Sequence, residues 1–468
     1  MAARVPMGRG GVPPCGFEHA LLDGLAADGG LYLPQSWPRL DRERLDALRG
    51  ASYQEVAAPV LAPFVEGALT ESELRHLIER AYAGFDHVAV APLRQLDAND
   101  WLLELFHGPT LAFKDVALQL LSHLFQHFLA KRDQSVTIVG ATSGDTGAAA
   151  IEAFAGRPRT TIVILHPHGR ISEVQRRQMT TVDAANVHNV AVEGTFDDCQ
   201  ALLKAMFDDQ AFRTRLRLAA INSINWARVV AQAVYYVTCG LALGAPWRKI
   251  ALAVPTGNFG DVYAGYVAAQ IGLPIAQLIV ATNRNDILAR FFATGRYRAG
   301  EVHPTMSPSM DIQVASNFER LLYDLCDRDG AQVGRLMTGF AQRRELAVPA
   351  DALGRARELF DAASAGEEQT SATMAEVFRA TGDLVDPHTA VGIRVGRQCR
   401  LDPPTPLVCL ATAHPAKFPE AVQRATGVTP ILPARLADLH QRAERFDVLP
   451  NELGAIKAHI QHCVMARA

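Results

Sequence analysis

The chain has 468 residues, 49% apolar and 20% charged, which is enough to bury a sizeable core and excludes extended disorder. Forty-six Lys and Arg against 49 Asp and Glu leave a net charge of -3, so the composition offers no electrostatic footprint for nucleic acid or an anionic membrane. Thirty-five Gly and 26 Pro without an internal repeat exclude collagen-like and low-complexity chains, leaving a small-molecule enzyme or a protein-binding domain.

The opening stretch, MAARVPMGRGGVPPCGF, has no apolar run of the signal-peptide kind. Seven scattered cysteines, none in a C-x-x-C pair, read as free thiols in a reducing cytoplasm rather than as disulfides or a zinc site. Residues 1–93 form one region: glycine-rich GLAADGGLYLP at 24–34, then helical periodicity in DRERLDALRG and ESELRHLIERAYAGF. From residue 94 short β-branched runs alternate with amphipathic helices. The runs are Val136–Val139, Thr161–Leu165, Val187–Val192, Ile250–Val254, Leu278–Val280 and Leu407–Leu410. Continuous apolar strands separated by helices predict an α/β fold with a mostly parallel sheet covered on both faces. Residues Val229–Trp247 carry no charge, but Gln232, Thr238, Gly240, Gly244 and Pro246 interrupt them. They read as a buried helix ending near Gly240 rather than a membrane span. The stretch from about 301 to 400 reads as mostly helix and loop, and 431–468 as a helical tail.

In a parallel sheet, ligands bind beyond the carboxyl ends of the strands. Three such segments carry chemistry. After Val136–Val139 comes Gly140-Ala-Thr-Ser-Gly-Asp-Thr-Gly147, a loop of glycines and hydroxyls opening a helix, suited to a carboxylate or phosphate. It lacks the lysine of a P-loop. The next strand ends in His166-Pro167-His168 rather than the acidic residue a dinucleotide fold would need, which disfavours a nucleotide-dependent dehydrogenase. A plain structural turn stays open. After Ile250–Val254, Pro255-Thr-Gly-Asn-Phe-Gly260 repeats the arrangement, with Gly257 and Gly260 allowing close approach to an anion. The third segment, Leu103-Glu-Leu-Phe-His-Gly-Pro-Thr-Leu-Ala-Phe-Lys-Asp115, places Lys114 among apolar neighbours, where desolvation makes an amine nucleophilic. A lysine paired with Asp115 at the surface is the plain alternative. One lysine and two anion cradles together suggest pyridoxal phosphate and a substrate carboxylate.

Nine segments, GLAADGGLYLP at 24, LELFHGPTLAFKD at 103, GATSGDTGAAA at 140, NSINWAR at 222, VPTGNFGD at 254, ATNRND at 281, TMSPSMDIQVASNFERL at 305, DPHTAVG at 386 and ATAHPAKFPEAV at 411, occur in one order along nearly the whole chain. In these the chain resembles the threonine synthase family of the longer bacterial and fungal type, within fold type II of the pyridoxal-phosphate enzymes, the tryptophan synthase β-like α/β fold. The resemblance implies an N-terminal domain over 1–93, a catalytic domain of two α/β subdomains over 94–430 and a tail from 431. It implies that Lys114 forms the Schiff base, that Gly257, Asn258, Phe259, Gly260 and Asp261 hold the cofactor phosphate, and that Thr412 faces the pyridine nitrogen. Thr142, Ser143, Gly144, Asp145, Thr146 and Gly147 match the loop for the substrate carboxylate. Ser223, Asn225 and Arg228 match positions for the substrate phosphate. The implied reaction turns O-phospho-L-homoserine and water into L-threonine and phosphate, in a cytoplasmic monomer or homodimer without metal. A phospho-lyase of the same group, releasing 2-oxobutyrate and ammonia, is the alternative. At one place the chain departs from the family: Met7-Gly8-Arg9-Gly10 stands where Ser-Thr-Arg-Gly is usual.

Among the remaining polar residues, His123 and His127 have metal-ligand spacing but no Glu between them, and read as a helix face. His414 reads as either a helix-start residue or a neighbour of the cofactor ring. Lys417 reads as a solvated lysine, with phosphate binding as its other possible use.

Overall fold

The computed structural model describes residues 13–465. Met7 and Gly8, which mark the departure from the family pattern, lie outside the described residues.

Every β-branched run became a strand. In chain order the strands are β1 (Leu93–Gln95), β2 (Asp100–Glu104), β3 (Val136–Ala141), β4 (Thr160–Pro167), β5 (Val187–Glu193), β6 (Leu218–Ala219), β7 (Ile250–Pro255), β8 (Ile275–Thr282), β9 (Arg296–Arg298), β10 (Glu345–Ala347), β11 (Phe360–Ser364), β12 (Leu407–Ala411) and β13 (Asp447–Pro450). Among the described residues they form a six-stranded sheet ordered β1-β2-β12-β7-β8-β11, a five-stranded sheet ordered β13-β5-β4-β3-β6, and a β9-β10 pair. Apart from the antiparallel β1-β2 edge, both larger sheets are parallel. Strands β4 and β7 are buried at every residue, as expected of strands covered by helices on both faces.

The uncharged stretch runs through the helix Trp226–Ala242, which is buried along almost all its length. Among the described residues no helix is long and apolar enough to cross a membrane. Residues 301–400 are mostly helix and loop, as read, with the short strands β10 and, at the sheet edge, β11 among them. The β11 sequence, FDAAS, is short, small-residued and partly exposed, and acquires strand geometry only by pairing with β8 at the sheet edge. The segment expected as a helical tail also carries a strand, β13, which pairs in parallel with β5 before the helix Leu453–Met465.

The N-terminal helices begin where their caps dictate. Ser52 and Thr70 each accept from the backbone of Glu55 and Glu73, whose carboxylates reach back to the cap N–H groups. Their apolar faces cover the central helices: Tyr53–Val65 packs on Trp226–Ala242, and Glu71–Tyr82 packs on Lys114–Lys131. The Tyr82 hydroxyl donates to the Val116 carbonyl at 3.1 Å. Further along, the buried Arg320 guanidinium donates to the carbonyls of Tyr32 and Ile224 and to Asn317 Oδ1. The N-terminal region therefore holds the helices that carry the polar residues described next.

One close backbone crossing ties this region to the larger sheet. Leu40 N–H donates to the Ile271 carbonyl, and Gly272, at φ +118°, lies so near that a Cβ there would sit 2.4 Å from the Leu40 oxygen. Gly272→Ala combines a left-handed backbone with a backbone clash and is expected to cost about 1–3 kcal/mol. A lowered urea midpoint at unchanged m would show it.

Candidate active site

The functional loops all follow carboxyl ends of parallel strands: 105–113 after β2, 142–145 after β3, 220–225 after β6, 256–260 after β7 and 412–418 after β12. Two of them are stapled together. Phe113 N–H donates to the Thr412 carbonyl at 2.9 Å, His414 N–H donates to Leu111, and Ala112 bridges Ala413. These bonds set Lys114, the first residue of the helix Lys114–Lys131, beside the buried Thr412. The Lys114 amine lies 4.7 Å from the centre of the Phe113 ring. Burial lowers its pKa, Asp145 opposes that shift, and the charges of Lys417 and Arg228 lower it further. The surface pairing with Asp115 is overturned. Asp115 turns inward and accepts from Thr110 N–H at 2.8 Å and Thr110 Oγ1 at 2.6 Å.

The Gly140–Gly147 loop is shaped by Thr142, whose hydroxyl accepts from the N–H groups of Gly144 and Gly147 at 3.0 and 2.9 Å. Thr142 is thus spent on the loop itself. The N–H groups of Asp145 and Thr146, in the first helical turn, have no carbonyl a turn behind them to bond and can meet an anion. The half-buried Ser143 and Thr146 lie beside them. The Asp145 side chain is engaged elsewhere. Its own carboxylate meets Lys417 Nζ at 2.8 Å and Lys114 Nζ at 3.6 Å. Burial pushes this carboxyl up, but Lys417 and Lys114 outweigh burial and hold it below the usual carboxylate range. Lys417 is correspondingly not solvated: its exposure is 0%, and its amine also donates to the Thr110 carbonyl at 2.7 Å.

The β7 loop is bracketed by two segments. A Cβ on Gly257 would lie 2.7 Å from the Ser309 carbonyl, so only glycine lets the 308–310 turn lie across the loop. Asn317 spans the other side: its side-chain amide donates to the carbonyls of Ser223 at 3.2 Å and Asn258 at 3.1 Å. The Ser316 hydroxyl lies within 3.5 Å of Ser223 Oγ and 3.4 Å of Asn258 Oδ1. Phe259 adopts φ +63° as the residue before the helix Gly260–Gln270, a strained position for a side chain with a Cβ. Its ring is clamped among Phe292, Phe318 and Phe360. Asp261 faces inward, accepting from the hydroxyls of Tyr235 and Tyr236. Burial raises its pKa to about 6 against the lowering effect of the two tyrosines, and its Oδ2 has no partner among the described residues.

Ser223, Asn225 and Arg228 arrive together on the loop after β6 and the helix it opens, but with different duties. Asn225 is the N-cap: its Oδ1 accepts from Ala227 N–H at 3.0 Å and its amide donates to the Leu21 carbonyl at 2.8 Å. It holds the loop rather than reaching for a ligand. Arg228 is buried, donates from Nη1 to the Ile221 carbonyl at 3.1 Å, and has an orphaned Nε. Burial pulls its pKa down to about 10, and it has no carboxylate in ion-pair range among the described residues. A buried cation in that state is stable only with an anion to share the site.

Sequence reasoning passed over several residues here. Asp386 accepts from His388 Nδ1 at 2.7 Å, and His388 Nε2 accepts from Ser309 N–H at 3.2 Å, so the pair fixes the turn over Gly257. Gln175 donates to Asp145 Oδ1 at 2.8 Å. Asp386, His388 and Ser309 lie in the matching segments, which was their only signal, whereas Gln175 lies in none of them and its bond to Asp145 spans 30 positions. His414 takes the helix-start role, accepting from Ala416 N–H, and burial holds its pKa down near 4. His123, on a helix face as read, is buried there against Arg157.

Three family models cover the chain: "Threonine synthase N terminus" at 7–82, "Pyridoxal-phosphate dependent enzyme" at 85–335 and "Threonine synthase, C-terminal" at 389–460. The threonine synthase of Pseudomonas aeruginosa is 55% identical over 97% of both chains. The chain belongs to the threonine synthase family. Among solved structures, pyridoxal-phosphate-bound threonine synthase from Brucella melitensis superposes with a TM-score of 0.96 at 52% identity, over 98% of this chain and 99% of that one. The yeast threonine synthase gives 0.94 at 36% identity over the full length of both. The family is pyridoxal-phosphate-dependent, and this member is a lyase of fold type II with that cofactor.

The residues present fit the group. A buried amine of lowered pKa, the helix N-terminus at 260 and the buried Thr412 hydroxyl supply partners for an aldehyde, a phosphate and a ring nitrogen. Asn225→Ala is expected to lower unfolding free energy by about 2 kcal/mol, since it removes a cap and leaves the Leu21 carbonyl unpaired. Chemical denaturation checks this. An unchanged midpoint with weakened substrate binding would assign Asn225 to the substrate instead.

Proposed function

We propose that this threonine synthase family member converts O-phospho-L-homoserine and water to L-threonine and phosphate, with Lys114 as the lysine that binds the cofactor. The observation that carries the reading is the convergence of the buried Lys114 amine with two anion-binding helix starts and the buried Arg228 guanidinium, whose Nε has no partner among the described residues. A substrate with a carboxylate at one end and a phosphate at the other matches that donor set. The near-full-length identity to threonine synthases supports the same substrate.

Pyridoxal phosphate, when bound, withdraws electrons from the substrate's α-carbon and so acidifies the hydrogens there and at the β-carbon. The protein's share is orientation and proton transfer. The backbone of Gly257, Asn258, Phe259 and Gly260 cradles the cofactor phosphate at the helix N-terminus, and Asp261 anchors that helix start to Tyr235 and Tyr236. Thr412, a buried neutral hydroxyl, would be the partner of the ring nitrogen. The Asp145 and Thr146 N–H groups, with the Ser143 and Thr146 hydroxyls, hold the substrate carboxylate. Ser223 and Arg228 hold the leaving phosphate by charge-assisted hydrogen bonds. Lys114, once its amine is free, takes a proton from the α-carbon and moves protons at the β-carbon while phosphate leaves from the γ-carbon. The γ-carbon takes up a proton to become a methyl group, water adds at the β-carbon, and the α-carbon regains its hydrogen. The setting is the cytoplasm, consistent with seven free cysteines, in a monomer or homodimer.

Borohydride reduction of the yellow protein is expected to fix the cofactor covalently on Lys114, as peptide mapping reads out; an adduct on another lysine overturns the role of Lys114. The reaction itself is tested in ¹⁸O-labelled water with both products quantified. Label in the hydroxyl of threonine as the main product supports the synthase reading. A yield dominated by 2-oxobutyrate and ammonia would make the protein a phospho-lyase.

A further inference from the structure

Nothing in the reaction just described uses Lys417, yet it is fully buried and charged. Asp145 stands between it and Lys114. Asp145 Oδ1 meets Lys417 Nζ at 2.8 Å and accepts from Gln175 at 2.8 Å, whereas Oδ2 lies 3.6 Å from Lys114 Nζ, with Ser309 Oγ at 3.4 Å. Lys417 is anchored independently by its 2.7 Å bond to the Thr110 carbonyl. The carboxylate is thus in hydrogen-bond contact with the lysine that has no chemistry to perform, and beyond it from the one that does.

We propose that Lys417 is a positioning residue for Lys114: by occupying the Asp145 carboxylate it prevents that carboxylate from locking Lys114 as a permanent ammonium, and so leaves Lys114 free to lose and regain its proton. This rests on the reading of Lys114 as the cofactor lysine. A lysine held in a tight ion pair is neither nucleophile nor base. The charges facing Lys114 come from four elements. They are Asp145 on the helix after β3, Arg228 on the helix after β6, Asp261 on the helix after β7, and Lys417 after β12. Asp115, on the helix of Lys114 itself, is engaged by Thr110 and feels Lys417. Two carboxylates thus face two cations around Lys114, and deleting Lys417 leaves an excess of negative charge that favours the ammonium. Burial alone would favour the neutral amine, and that bias is preserved as long as Lys417 balances Asp145.

The test is a charge cycle on the holoenzyme, read by visible-absorption titration of the bound cofactor and by the acid limb of the kcat/KM profile. Lys417→Met is expected to move both by about one pH unit or more to alkaline pH, since an opposite charge at contact distance shifts a pKa by that order. Asp145→Asn is expected to move them to acid pH. The double variant Lys417→Met/Asp145→Asn is expected to return close to the parent, because the charge excess is gone. An unmoved titration in Lys417→Met, or a double variant that keeps the alkaline shift, overturns the proposal. Should Lys417→Met fail to fold, Asp145→Asn decides: an acid shift supports the proposal and an unchanged profile overturns it. Borohydride mapping of each variant separates the two readings. An adduct away from Lys114 removes both, whereas an adduct on Lys114 with a flat pH response removes this one alone.

Discussion

A single buried carboxylate, Asp145, with a lysine amine on either side of it, is the constraint around which the site is organised. Charges removed from water must be paired and hydrogen-bonded, or the fold loses several kcal/mol for each. Meeting that requirement ties together the helix Lys114–Lys131, the helix Asp145–Phe154 and the segment after β12. It also recruits Thr110, Gln175 and Ser309 as supports. The arrangement stabilises Asp145 as an anion while leaving the Lys114 amine with a lowered pKa. Two neighbouring groups with opposed needs are thus satisfied by a third.

The second support is backbone geometry. Parallel strands deliver their following loops to one edge, and the loops after β2 and β12 are stapled by three backbone contacts involving Leu111, Ala112 and Phe113. Close approach then does the rest. Gly257 passes under the Ser309 carbonyl, the Asp386–His388 pair fixes that turn, and Asn317 joins the Ser223 and Asn258 carbonyls. The N-terminal region stands outside this chemistry but covers the helices that bear Lys114 and Arg228. Arg320 pins it to both Asn317 and Ile224. Stability of that packing is therefore linked to the placement of the polar groups.

Much of this was legible in the sequence. Fully buried parallel strands are continuous β-branched runs, so β3, β4, β5, β7, β8 and β12 declared themselves. Strands β11 and β13 did not, because edge strands of small or exposed residues obtain their geometry from a neighbour rather than from their own side chains. At the site, Lys114 and the two glycine-bearing loops stood out because a nucleophilic amine and an anion cradle need those residue types in those local patterns. The duties of Thr142 and Asn225 were less visible. A hydroxyl or amide next to a helix start serves equally as a cap or as a ligand contact, and only the direction of its hydrogen bonds separates the two.

By itself the sequence determined the fold class and the family, because local pattern and motif order carry that information over short spans. The tertiary structure alone decided which charges meet. Lys417 read as a surface lysine and Asp145 as part of a carboxylate-binding loop, until β12 and β3 brought them within 2.8 Å of each other in the interior. Burial and Coulomb pairing depend on distance in space, and residues more than two hundred positions apart along the chain leave no local trace of the partner they will find.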